Sequence, residues 1–174
     1  ACFHMDTALF YTKWLRDLAV DQSRLGGMPA VIPNVRGGSD SSSAAWGDAA
    51  TICPWTLYLC YGDKRVLERQ YDSMKQWVEY IRKQGDNPYL WNTGFHFGDW
   101  LALDAKPGAW TGATSLDFIA TAFYAYSTRL LMKAAQVLNK REDACLYQDV
   151  YSHILQHFRR EFVTPNGRLT EGTQ

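Results

Sequence analysis

No stretch of this sequence approaches the roughly 18 consecutive apolar residues that a membrane-crossing helix requires, and residues Ala1 to Asp6 lack a basic segment followed by an apolar one. Neither a spanning helix nor a leader peptide is expected within it. An excess of charge is lacking too, since 18 Lys and Arg stand against 18 Asp and Glu. No more than two basic residues adjoin, as in Lys64-Arg65 and Arg159-Arg160, so a nucleic-acid partner has no basic stripe to bind. Cysteine is sparse: Cys2, Cys53, Cys60 and Cys145 form no C-x-x-C pair, which argues against a zinc ribbon and a dense disulfide scaffold. Cys53 and Cys60, seven apart, are expected to share a helix face as small buried hydrophobes. The chain has no Met at position 1, and Leu169 to Gln174 follow a turn signal without a closing element. That reads as an excised piece, and it leaves the compartment of the parent open.

What is present is apolar and aromatic: 47% of 174 residues are hydrophobic and 14% are Phe, Trp or Tyr, enough to bury a core and too much for a disordered chain. The periodicity predicts five helices, over about 5–22, 48–62, 64–84, 115–139 and 141–162. The first, third and fifth are amphipathic. Leu9, Phe10, Trp14, Leu15 and Leu18 form the inward stripe of the first, and Leu67, Tyr71, Met74, Val78 and Ile81 that of the third. Tyr147, Val150, Tyr151, Ile154, Leu155, Phe158 and Phe162 do so in the fifth. The second and fourth helices are apolar nearly all round, with Pro54 tolerable only near a start or at a kink and with Thr114 or Ser115 as the cap of the fourth. Alternation of amphipathic and all-apolar helices is the pattern of a two-layer array of antiparallel hairpins, in which inner helices are covered on both sides. The expected fold class is all-α, a partial (α/α)6 toroid of five alternating outer and inner helices, with residues 1–174 as a single partial domain.

Connections of 62–63 and 139–140 are short, whereas 23–47 and 85–113 are long and rich in Gly, Pro and Ser. Antiparallel topology sets both long loops at one end, beside the N-termini of the inner helices, where sites are commonly built. The same loops carry Trp46-Gly47-Asp48 and Phe95-His96-Phe97-Gly98-Asp99-Trp100. Carboxylates grip sugar hydroxyls through charge-assisted hydrogen bonds and flat aromatics cover the apolar face of a pyranose, so these clusters read as a carbohydrate pocket. Asp48 and Asp99 read equally well as helix caps, and for Trp46 and Trp100 core packing is the readier reading. Trp14, Trp55 and Trp77, within helices, are assigned to packing. His153 and His157, four apart on an outer helix without a third ligand, read as a solvated face, so no metal is expected. Arg36-Gly37-Gly38-Ser39 matches neither a P-loop nor a dinucleotide fingerprint, and no cofactor is expected.

Five segments in order along the chain carry a family resemblance. They are Gly27-Met28-Pro29-Ala30-Val31-Ile32-Pro33-Asn34-Val35, Ala45-Trp46-Gly47-Asp48-Ala49, Phe97-Gly98-Asp99-Trp100-Leu101, Asp117 to Phe123, and Thr164 to Gln174. Through them the sequence resembles the catalytic domain of bacterial α-L-rhamnosidases, glycoside hydrolases with a six-hairpin (α/α)6 barrel. The resemblance implies an exo-acting enzyme that removes terminal α-L-rhamnose with inversion, using an acid and a base about 6.5–9.5 Å apart. The family's D-C-P-Q-R-D-E run ending in G-W-T-G-D, which contributes the general acid, is expected just before Ala1, and the general base on a hairpin after Gln174. By this reading neither catalytic carboxylate lies within residues 1–174, which form the middle of the barrel and are inactive alone. Carried over by position, Trp46 and Trp100 match aromatic positions lining the rhamnose pocket, and Asp48 and Asp99 match motif positions beside them, with His96 a further candidate. The expected partners are a terminal L-rhamnose and the remainder of the catalytic domain, with self-association through open helix edges. Two other readings compete. One is a helical carbohydrate-binding or scaffold module without chemistry, and the other a different six-hairpin enzyme such as a glucuronyl hydrolase or a glycoside phosphorylase.

Overall fold

The computed structural model describes residues 2–36 and 42–173; Ala1, Gln174 and the Gly37-Gly38-Ser39-Asp40-Ser41 part of the first long loop lie outside the described residues. The described residues form five α-helices, α1 (Ala8–Asp21), α2 (Ala49–Tyr61), α3 (Lys64–Arg82), α4 (Leu116–Val137) and α5 (Arg141–Phe162). Among the described residues only two isolated β-bridges occur, Trp100 with Thr111 and Val163 with Leu169, so the fold class is all-α as expected. Each helix packs on the next, and in addition α2 packs on α4 and α1 on α3. That is the two-layer arrangement, with α2 and α4 as the inner pair. Among the described residues no helix is long and apolar enough to cross a membrane.

The core follows the inward stripes. Leu67, Tyr71, Met74, Val78 and Ile81 of α3 are all buried, joined by Trp77 of the same helix and by Tyr124, Leu131, Tyr147, Val150 and Ile154 from α4 and α5. Polar cross-links tie α3 to α5 above this core. Asp143 accepts from Tyr71 Oη at 2.8 Å and pairs with Lys75 at 2.9 Å, while Tyr147 Oη donates to Glu79 at 3.0 Å.

Several local expectations are corrected. Helix α1 starts at Ala8, whose N–H donates to Asp6 Oδ1 at 3.2 Å, and only Leu15 and Leu18 of its stripe are buried. Leu9 is 89% exposed and Phe10 and Val20 are exposed as well, because α1 packs only on α2 and α3 and its remaining face has no neighbour among the described residues. Helix α2 packs on α1, α3 and α4 yet leaves Leu59 and Tyr61 exposed, and Pro54 sits in its interior. Cys53 and Cys60 are half-buried on it, and Cys60 Sγ lies 3.6 Å from Cys2 Sγ. Ser115 is the cap of α4, its hydroxyl accepting from Phe118 N, while Thr114 bonds Thr173 instead at 2.6 Å.

The short connections end their helices as the sequence suggests. Gly62 takes the left-handed conformation after α2, and Asp63 then caps α3 by accepting from Arg65 N. Two abrupt reversals fold the chain as an up-and-down array, which leaves both long loops at the opposite end.

Candidate functional site

The start of α2 is built around a buried carboxylate. Ala45, at a φ of 68°, turns the chain so that Ala45 N–H points back at Asp48 Oδ2, 2.8 Å away. Asp48 Oδ1 accepts from Trp77 Nε1 of α3 at 3.0 Å and also from Ser127 Oγ of α4, and Thr51 Oγ1 lies 2.7 Å from that Ser127 oxygen. One side chain therefore joins the loop, α2, α3 and α4. Asp48 has no exposed surface and makes no side-chain bond to its own helix, so the capping reading does not hold here. Burial pushes its carboxyl above the usual range, against the pull of the donors from Ser127, Trp77, Ala45 and its own backbone N–H. Gly47 beside it has no room for a side chain: a Cβ there would stand 2.3 Å from the indole of Trp77.

The second long loop is pinned to this base. Tyr124 Oη donates to Pro88 O at 2.9 Å, and Trp91 N donates to Thr121 Oγ1 at 3.1 Å, which fixes the loop on α4. His96 is buried against the edge of Trp91, with ring centroids 4.5 Å apart. Its Nδ1 accepts from Ala44 N at 3.2 Å, so the ring proton sits on Nε2, which donates to Thr93 O at 3.1 Å. Phe97 N adds a bond to Ser43 Oγ at 3.1 Å. His96 thus clasps the two long loops together, and both of its nitrogens are engaged by backbone.

Burial lowers the His96 pKa, the bond to Thr93 and the charge of Asp117 opposing it. A His held neutral by the fold supplies stability that is full above the ordinary pKa of about 6.5 and is lost as pH falls toward the lower folded value. Thermal melting of the intact protein is accordingly expected to drop on acidification below about pH 6.5, and to drop less steeply in a His96→Gln variant. Identical slopes in the two proteins would remove His96 as the clasp.

On this base stands a row of aromatic rings. Trp46, half-buried, lies on Phe97 at 4.6 Å between centroids, Phe97 meets Phe95 at 4.9 Å and Trp100 at 5.3 Å edge-on, and Trp100 stacks on Trp110 at 5.6 Å and 17°. The structure thus brings Trp46 and Trp100, from different loops, into one surface through Phe97. Asp99 is exposed and lines a cavity of about 390 Å³ with Ala102, Leu103, Asp104 and Thr173. The segment after α5 reaches the same end. Glu171 accepts from Ser115 N at 3.1 Å and from Ser115 Oγ at 2.8 Å, holding it against the N-terminus of α4.

Trp77, Ser127, Ser43 and Trp110 were not among the residues singled out by sequence as site residues. A signal existed for Ser127, one of three hydroxyls, with Thr121 and Thr128, on the buried side of a mostly apolar helix. None existed for the bond between Trp77 and Asp48, which spans 29 residues. Among the described residues no group of three or more His, Cys, Asp or Glu could hold a metal ion, and His153 is stacked on Tyr89 at 4.9 Å.

A family model described as bacterial alpha-L-rhamnosidase 6 hairpin glycosidase domain matches residues 1–174. An alpha-L-rhamnosidase of Formosa agariphila is 35% identical over 171 residues, 98% of this chain and 18% of that protein. The native rhamnosidase of Aspergillus terreus superposes with a TM-score of 0.88 at 34% identity, over 95% of this chain and 20% of that one. The Streptomyces avermitilis alpha-L-rhamnosidase complexed with L-rhamnose gives 0.82 at 36% identity, over 95% of this chain and 15% of that one.

Proposed function

Because this chain belongs to the bacterial α-L-rhamnosidase six-hairpin glycosidase domain family, we propose that its long-loop end forms part of the pocket in which a terminal α-L-rhamnose is bound and hydrolysed. It is then a partial (α/α)6 toroid, the middle portion of a catalytic barrel, and it spans only 18% of a curated relative's length. The observation that carries the reading is the ring row itself: Trp46 and Trp100, 54 residues apart in sequence, meet on either side of Phe97 at the end where the long loops join. An apolar platform beside an exposed carboxylate suits a deoxy sugar, which offers a methyl and ring hydrogens to the aromatics and hydroxyls to an acceptor.

In this reading Trp46 and Trp100 cover the apolar side of the sugar, Asp99 accepts from its hydroxyls, and Asp48 and His96 act as positioning residues beneath them. The general acid and base of the inverting reaction, with a water held between base and anomeric carbon, come from the segments flanking residues 1–174. The exposed face of α1 around Leu9, Phe10 and Val20 is then covered by the rest of the barrel.

The test uses the intact protein that contains this chain. It is expected to release rhamnose from 4-nitrophenyl α-L-rhamnopyranoside, and Trp100→Ala is expected to lower kcat/KM about tenfold, as befits loss of one stacking face. Unchanged turnover in that variant would overturn the pocket assignment.

A further inference from the structure

The ring row continues past the residues that the rhamnose pocket uses. Trp110 is its last member, 65% exposed yet stacked on Trp100. It is held there by a built hairpin. Gly112 N donates to Asp99 O and Leu101 N to Trp110 O, each at 2.8 Å, around the bridge between Trp100 and Thr111. At the tip Ala109 N donates to Lys106 O at 2.8 Å, across Pro107 and a Gly108 in the left-handed conformation at a φ of 79°. The closing residue is as tightly fitted: a Cβ on Gly112 would stand 2.6 Å from Ala102 Cβ and 2.7 Å from Asp104 Oδ1.

A hairpin so closed that presents a large indole to solvent needs a reason, because burying that ring elsewhere would gain stability. The ring is nearly parallel to Trp100 and stacked on it with an offset, so it overlaps that indole and carries the apolar row one ring further toward solvent. A glycoside extends the same way, from the terminal sugar to the group it is linked to.

We propose that Trp110 is the floor of an aglycone-side subsite, taking the flat apolar face of the ring bonded to the rhamnose. An aryl ring presents such a face by its π-system and a pyranose by its axial hydrogens, and both stack on an indole. The inference rests on the rhamnosidase reading, with Trp110 as a specificity-determining residue that leaves the chemical step alone.

The test compares the intact protein with its Trp110→Ala and Trp110→Phe variants on three substrates: methyl α-L-rhamnoside, 4-nitrophenyl α-L-rhamnoside and a rhamnosyl-glucose disaccharide. Taking the variant-to-parent ratio for each substrate cancels differences in leaving-group reactivity. Trp110→Ala is expected to lower kcat/KM about tenfold for the substrates that bear a ring, through KM, and by less than about twofold for the methyl glycoside, with Trp110→Phe keeping most of the activity. A loss confined to the nitrophenyl substrate assigns the subsite to an aryl face, and one confined to the disaccharide assigns it to a pyranose. No loss on any substrate would overturn the subsite. So would an equal loss on all three, which would make Trp110 a hairpin support. If the parent protein turns over none of the three, the rhamnosidase reading fails and the subsite falls with it.

Discussion

Replacing Asp48 by Ala is expected to destabilise the intact protein by about 3–5 kcal/mol, since it leaves two buried donors and a part-buried one without an acceptor and each orphan costs roughly 1–3 kcal/mol. The donors are Trp77 Nε1–H, Ser127 Oγ–H and Ala45 N–H, which come from α3, α4 and the loop. Loss of the carboxylate therefore uncouples three elements at once. Asp48→Asn, isosteric but with one oxygen in place of two, is expected to lose less, about 1–3 kcal/mol. The pH dependence distinguishes the two forms of the side chain. Because burial raises the Asp48 pKa, its contribution is greatest below the unfolded value near 4 and declines as pH rises through the folded one, the opposite sense to His96. Denaturant unfolding of the variants at several pH values is the measurement, and an Asp48→Ala protein as stable as the parent would dispose of the buried hub.

Gly47→Ala is expected to be nearly as damaging, about 3 kcal/mol, at the upper end of what overpacking a core costs. The added Cβ would stand 2.3 Å from Trp77 Cη2, and the indole cannot retreat. It is stacked on Tyr80 at 5.7 Å, meets Trp91 edge-on at 5.6 Å, and is held by its N–H on Asp48. Relief should come from the ring. In a double-mutant cycle Gly47→Ala with Trp77→Phe is expected to cost less than the sum of the two single changes, as residues in contact do. Strict additivity would mean that the clash is absorbed elsewhere. Both effects explain why Trp46-Gly47-Asp48 reads as one unit: the Trp faces outward to the ring row, the Gly makes space for Trp77, and the Asp grips it.

Much of this was legible from the sequence. Period-3.6 patterning located all five helices, and α5 matches its expected span at 141–162, because Lys140 and Pro165 bracket an unbroken stripe. The alternation of amphipathic and all-apolar segments foretold the inner pair α2 and α4. Pattern could not say how far the apolar stripe of α1 would be covered, since Leu9 and Phe10 are apolar whether or not a neighbour packs on them. Nor could it rank the site residues. Asp48 and Asp99 stand in similar aromatic and glycine surroundings in sequence, yet one is buried with both oxygens engaged and the other lies exposed on a hairpin. That difference is made by contacts from α3 and α4, tens of residues away. His96 shows the same limit, its partner Ala44 lying 52 residues earlier on the other long loop.

The long-loop end is the proposed place where L-rhamnose binds. The most direct measurement is fluorine NMR of the intact protein labelled with 5-fluorotryptophan, each resonance assigned by a single Trp→Phe change, as L-rhamnose is added. The signals of Trp46 and Trp100 are expected to shift in a saturable way while those of Trp14, Trp55 and Trp77 stay in place. Saturable shifts confined to Trp14 or Trp55, with Trp46 and Trp100 unmoved, would contradict that placement.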